Sequence, residues 1–325
     1  MLEVVTDKVT GGRAPAGDVV MKLHHLRNVV AIVERGSLRA GAKQLGLAQP
    51  AVSRSIAELE RELGLVLFQR HKSGMTLTRA GEVFFRRAKA IQAEFSRVQE
   101  EMEQLRGEDH GVITVGCSSA ALLSLVPTIV NGFYLKYPEM RIKLIEGSLP
   151  MLETQIRDGL LDIYYGPVVT SFVDPALVIQ TLFENERIIV GRRDHPLRNA
   201  TSLNDLVGAS WVTTPMAIDS DGEVISAFAS AGLPPPRIVM EAASAMNLAV
   251  VVATSDLLAP VPQQWMDMIH PIGMMVRIPV REVSQAPRIC AVRRANMPLT
   301  PAAEYLNDLA MRAAAAYLHK RADGS

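Results

Sequence analysis

Gln49, Ser53 and Arg54 fall about one helical turn apart in the stretch AQPAVSRSIAELERELG, residues 48–64, and each can reach a base edge or a phosphate. Pro50 belongs to the same first turn, where its missing N–H costs nothing. The chemistry such a set can do is the reading of duplex DNA, provided that the N-terminus of its helix enters a major groove. A cationic stretch, Arg70-His71-Lys72, follows close by. With Arg39 and Arg79 it offers phosphate contacts that fix register without reading sequence.

The elements that must position these side chains are legible from spacing. Ser37 is a good N-cap, and Leu38, Ala42 and Leu45 then share one face of a short helix that ends at Gly46. A second helix opens at Gln49-Pro50 and carries the apolar stripe Val52, Ile56, Leu59 and Leu63 until Gly64 closes it. By itself this helix-turn-helix pattern also fits an ordinary hairpin in a small bundle. Val66-Leu67-Phe68 and Met75-Thr76-Leu77 flank the basic stretch as two short strands, however, and so make a wing. Packing alone does not ask for a basic tip. Leu23, Leu26, Val30 and Val33 form a further helical stripe that packs beneath.

These residues carry a resemblance. The order GSL, QPAVSR, LE, LG, LF and then Leu77-Thr78-Arg79-Ala80-Gly81 resembles the DNA-binding domain of the LysR-type transcriptional regulators, and the likeness runs through residues 22–106. Two departures stand out: Ala48 occupies the place of the usual serine N-cap, and Gly41 that of an alanine. Loss of the cap costs about 0.5–2 kcal/mol unless water or DNA satisfies the N–H groups. The resemblance implies a sequence-specific regulator of transcription that binds double-stranded promoter DNA, answers to a small-molecule effector, contacts RNA polymerase and works in the cytoplasm as a homodimer or homotetramer.

Charge supports a nucleic-acid module at one end. The whole chain of 325 residues is formally neutral, yet residues 22–90 hold thirteen Lys and Arg against five Glu, a net of +8. Such segregation attracts a polyanion and makes the affinity salt-dependent. From residue 84 onward Phe84, Ala88, Ile91, Phe95, Val98, Met102 and Leu105 recur at alternating steps of four and three. A heptad seam of this kind wants a partner helix, which makes residues 80–106 a dimerising linker. The alternative is one long helix lying on its own effector domain.

Gly107 and Gly111 break that helix, and beyond them strands and helices alternate, as in a parallel α/β sheet. Strands are expected at 112–116, 141–146, 161–165, 187–190, 210–213, 238–241, 257–260 and 287–292. Helices are expected at 122–137, 150–158, 203–206, 221–231, 244–253 and 301–318. The organisation expected is therefore a flexible arm (1–21), a winged helix-turn-helix (22–79), the linker helix (80–106) and two α/β lobes. Lobe I takes 111–184 with 284–325, and lobe II takes 185–283. Two lobes joined by crossing strands resemble a periplasmic-binding-protein fold, which the LysR-type effector domain shares.

In such sheets a ligand sits beyond the carboxyl ends of the strands, near helix N-termini. That selects Ser118, Ser119, Gly147, Ser148, Gly166 and Pro167 from lobe I, and Thr213, Thr214 and Ser244 from lobe II. Taken singly, each is also an ordinary cap or turn residue. Together they suit a small anion, with an aromatic carboxylate or sulfonate lined by Met216 and Phe172 as the first expectation. No cofactor and no metal is expected, since Cys117 and Cys290 lie far apart with no CxxC, and His24 and His25 point to different helix faces. An enzyme is not expected either: Cys117 has no spacing relation to His195 or His270. No apolar run approaches the ~20 residues that cross a bilayer, so no membrane partner is expected. The rival function is an architectural DNA-binding protein whose second half only oligomerises.

Overall fold

The computed structural model describes residues 21–71, 74–107, 110–169, 174–214, 220–266, 273–282 and 284–323. The chain divides into two compact units, Met1–Gln92 and Ala93–Ser325. Apart from Met21, the arm expected over residues 1–21 lies outside the described residues.

In the first unit α1 (Leu23–Arg35), α2 (Leu38–Gln44) and α3 (Gln49–Leu63) precede a two-stranded ribbon, β1 (Phe68–His71) antiparallel to β2 (Gly74–Leu77). The α3 stripe turns inward, but on α1 it is Val29 and Ile32, outside the expected stripe, that are buried with Val52, Leu59 and Leu67; the expected Leu26 and Val30 pack against Ala88 instead. Gly36 and Gly64 end α1 and α3 at positive φ (72° and 64°), which glycine adopts without strain. Gly41 has a packing reason, because a Cβ there would stand 2.9 Å from both the backbone N and Cα of Ile32. The departure from alanine thus lets α2 approach α1 closely.

Helix α4 (Arg79–Leu105) has two faces. Leu26, Val30 and Ala88 form one small cluster of the first unit, against which Phe84 packs. Further along the seam Ile91, Phe95, Val98, Met102 and Leu105 are exposed. Within the second unit the opposite, polar face lies on lobe I. Arg97 donates through Nε to Asp162 Oδ1 at 2.9 Å and through Nη2 to the Gly159 carbonyl, and Asp162 Oδ2 accepts the Thr114 N–H at 2.7 Å. Gln104 accepts the Ala302 N–H at 3.0 Å, and Glu94 pairs with Arg294 at 3.1 Å. The polar face thus fits the reading of a helix lying on its own effector domain, and the apolar seam is left exposed.

The rest of the second unit is one nine-stranded sheet in the order β4-β3-β5-β11-β6-β9-β7-β8, with β10 paired to β6. Lobe I sets β3 (Val112–Cys117) parallel to β4 (Arg141–Glu146) and to β5 (Ile163–Pro167). It is covered by α5 (Ser119–Lys136), α6 (Leu149–Arg157) and the closing helix α9 (Pro301–Asp323). Lobe II sets β7 (Ser210–Thr213) parallel to β8 (Arg237–Glu241) and β9 (Leu257–Pro262), with α7 (Ser220–Ser230) and α8 (Ala245–Thr254). Two strands run through both lobes: β6 (Leu177–Arg192) and its antiparallel partner β11 (Ser284–Arg294). The four-residue strand expected at 187–190 is thus sixteen residues long. The short β10 (Met275–Ile278) was not expected at all. Its pairing with 189–192 across more than eighty residues leaves no local mark.

Candidate DNA-reading face and inter-lobe cavity

On α3 the burial alternates as its stripe requires, with Val52 and Leu59 fully inside. Gln49, Pro50 and Arg54 are exposed and Ser53 half-buried on the other side. Ala48 makes no side-chain cap, whereas Ser37 caps α2 by accepting the Ala40 N–H at 3.2 Å. Arg39 and Arg79 are exposed. Lys72 and the side chain of Arg70 lie outside the described residues.

What fixes this face comes from positions that carry no recognition chemistry. Glu60 on α3 accepts the N–H groups of Leu67 and Phe68 at 2.7 and 3.1 Å and so ties the wing to the helix. Asn28 on α1 donates to Ser55 Oγ at 2.8 Å. Thr78 donates to the Val66 carbonyl at 2.7 Å and accepts the Gly81 N–H at 3.0 Å, capping the start of α4. Gly81 must lack a side chain, because a Cβ there would collide with the Leu67 carbonyl oxygen. The run Leu77-Thr78-Arg79-Ala80-Gly81 is thus a joint between wing and helix. His25 is buried, and burial holds its imidazole below the ordinary histidine value.

In the second unit a cavity of about 520 Å³, its open mouth included, lies between the lobes. Lobe I contributes Ser118, Ser119, Glu146 and Pro167; lobe II contributes Thr214, Leu248 and Trp265; β6 contributes Asn185 and Arg187. Ser118 caps α5 by accepting the Ala121 N–H at 3.3 Å. Trp265 donates its indole N–H to Ser119 Oγ at 3.3 Å, joining lobe II to the first turn of α5. Arg187 is buried and bound to Glu223, with Nε 2.7 Å from Oε2.

Of the nine residues selected from sequence, Ser118, Ser119, Pro167 and Thr214 line this cavity, and the other five are placed elsewhere. Ser244 caps α8 by accepting the Asn247 N–H at 3.2 Å. Gly147 faces Leu152, whose side chain a Cβ would meet at 3.0 Å. Gly166 lies under the Tyr164 ring, and its lack of a Cβ makes room for the phenol. Ser148 and Thr213 are buried beside the cavity wall rather than in it. Met216 and Phe172 lie outside the described residues. Sequence reasoning missed Glu146 and Trp265, whose only signal was position at or near a strand end, and Asn185 and Arg187, which lie inside β6 and carried no such signal.

Cys117 is 1% exposed, and burial, followed by the charge of Glu146, pushes its thiol up to about 12. A thiol so held stays protonated at neutral pH and is a poor nucleophile. Among the described residues no group of His, Cys, Asp and Glu could hold a metal, and no helix is long and apolar enough to cross a membrane.

A winged helix with an exposed, polar recognition helix, followed by two α/β lobes around a cavity, defines a DNA-binding regulator with a ligand-binding domain. The chain belongs to the LysR family of transcriptional regulators. Residues 23–82 match the family model described as a bacterial regulatory helix-turn-helix protein of the lysR family, and residues 106–315 match the LysR substrate binding domain. It is 28% identical over 291 residues to the HTH-type transcriptional regulator TdcA of Escherichia coli, covering 89% of this chain and 92% of that one. It is 30% identical over 251 residues to BenM of Acinetobacter baylyi, covering 74% and 80%. In fold it resembles full-length CbnR complexed with its target DNA (TM-score 0.65, 20% identity, 90% of this chain and 100% of that one). ArgP from Mycobacterium tuberculosis gives TM-score 0.65 at 16% identity, covering 89% and 96%.

Proposed function

We propose that this regulator reads promoter DNA with Gln49, Pro50, Ser53 and Arg54 against bases and with Arg39, Arg70, Lys72 and Arg79 against phosphates. Two copies pair along the exposed seam of α4, and pairs assemble into tetramers, so that recognition helices meet successive major grooves roughly 34 Å apart. The protein acts in the cytoplasm and performs no catalysis of its own. It engages RNA polymerase at the promoters it controls.

The effector is a small organic acid, an aromatic carboxylate or sulfonate being the first class to try. It is held between the lobes by Ser118, Ser119 and Thr214, with Pro167 as part of the apolar wall. One observation carries this reading: both lobes wall a single cavity, so the affinity of any occupant depends on the angle between them. A ligand that prefers one angle by ~2 kcal/mol shifts the balance between two conformations roughly thirtyfold. A thermal-shift screen of aromatic carboxylates and sulfonates, followed by footprinting of the upstream region with each binder, tests it. The expected result is a ligand that raises the melting temperature and alters the footprint or the bend. Binders that leave every footprint unchanged contradict the reading and favour an architectural role.

A further inference from the structure

Asn185 has its hydrogen-bonding capacity wholly unspent. It stands on β6 where that strand crosses between the lobes, is 3% exposed, and neither Nδ2 nor Oδ1 has a partner. Buried amides are almost always paired, so an unpaired one in a cavity wall suits a guest that brings both an acceptor and a donor.

The charges around the cavity narrow that guest further. Arg187 is the one cationic side chain among the described lining residues, and its guanidinium is engaged by Glu223 at 2.7 and 3.4 Å. Glu146, by contrast, is an exposed carboxylate at the end of β4 with no ion pair to any described residue. Facing these is the first turn of α5, whose dipole favours a negative group. There Ser119 Oγ accepts from Trp265 and keeps its own hydrogen to donate. A plain anion satisfies the α5 turn and Asn185 Nδ2, yet it meets the Glu146 charge and leaves Asn185 Oδ1 empty. A molecule with an ammonium beside its carboxylate satisfies all four groups.

We infer that the effector is a zwitterion of the α-amino acid class, its carboxylate at Ser119 and Asn185 Nδ2 and its ammonium at Glu146 and Asn185 Oδ1. The inference rests on the inter-lobe cavity being the effector site. Trp265 and Leu248 offer the amino-acid side chain an apolar wall.

The test is calorimetric titration of the full-length protein with the proteinogenic L-amino acids, each beside the carboxylic acid that lacks its amino group. At least one amino acid should bind about thirtyfold or more tightly than its des-amino partner, the factor that a charge-assisted hydrogen bond to Asn185 Oδ1 and the exposed Glu146 pair supply together. Glu146→Gln, at an exposed and unpaired position that folding tolerates, should cut that ratio to about fivefold or less while leaving the affinity for the plain acid within about threefold. Asn185→Leu should weaken both ligands, the amino acid more than the acid, since only the amino acid uses Oδ1. Acids that bind as tightly as amino acids, or a ratio that Glu146→Gln leaves intact, overturn the inference while the effector site stands. Binding of neither class overturns both.

Discussion

Gln49 and Arg54 stand in water on the outer face of α3, whereas Asn185 stands in the wall of the inter-lobe cavity with neither amide atom paired. The first surface is complete without its ligand. Its polar groups are solvated, its supports are Glu60, Asn28 and Thr78, and its attraction for DNA is a matter of long-range charge. The second holds an unpaired amide, and the attraction proposed for it is short-range pairing with a small molecule. On the proposed reading the chain thus carries two binding surfaces that respond to different variables, the first to ionic strength and the second to the shape and functional groups of a small molecule.

Salt should separate them most widely. If Arg39, Arg70, Lys72 and Arg79 of two paired copies neutralise about eight phosphates, raising salt from about 50 to 200 mM lowers DNA affinity about 10⁴-fold. Effector affinity, measured by calorimetry over the same range, should move by no more than about threefold, since at most the one pair at Glu146 is open to screening. Equal salt slopes would break the contrast.

The next largest effect concerns how the reading face is held. Gly81→Ala forces a Cβ against the Leu67 carbonyl and should destabilise the first unit by about 1–3 kcal/mol or more. Thermal unfolding followed by calorimetry would show it as an early melt, with effector binding preserved. Smaller and sharper is the division of labour on the DNA side. Arg54→Ala should cost about 1–3 kcal/mol on the operator and little on random duplex, while Lys72→Ala should weaken both equally and flatten the salt slope by about one per copy. Anisotropy titrations against the two duplexes measure this. Smallest is the missing cap: Ala48→Ser should stabilise α3 by about 1 kcal/mol without altering sequence preference, read as a rise in the melting temperature.

The winged helix was legible because its signals are local. Capping serines, terminal glycines and stripes at steps of three and four each act within a turn or two of chain, and so does the α4 seam. The polar face of α4 was less legible. Arg97 finds Asp162 sixty-five residues away, and nothing near Arg97 announces that partner. The cavity is less local still, since the Trp265 bond to Ser119 spans 146 residues and the Arg187 pair with Glu223 spans 36. Reading strand ends found Ser118, Ser119, Pro167 and Thr214, because the rule for open sheets is topological. It also collected Ser244, Gly147 and Gly166, which serve a helix cap and two packing contacts. Asn185 and Arg187 escaped notice because they lie mid-strand, in an element whose true length depends on pairing with β11 a hundred residues later.

The most direct measurement titrates the full-length protein into a labelled duplex from its own upstream region and into a shuffled duplex of the same composition, at one physiological salt concentration. The expected result is about 10³-fold or greater preference for the native duplex, which Arg54→Ala reduces by about ten- to a hundredfold. Equal affinity for the two duplexes, or the same preference after the substitution, contradicts it.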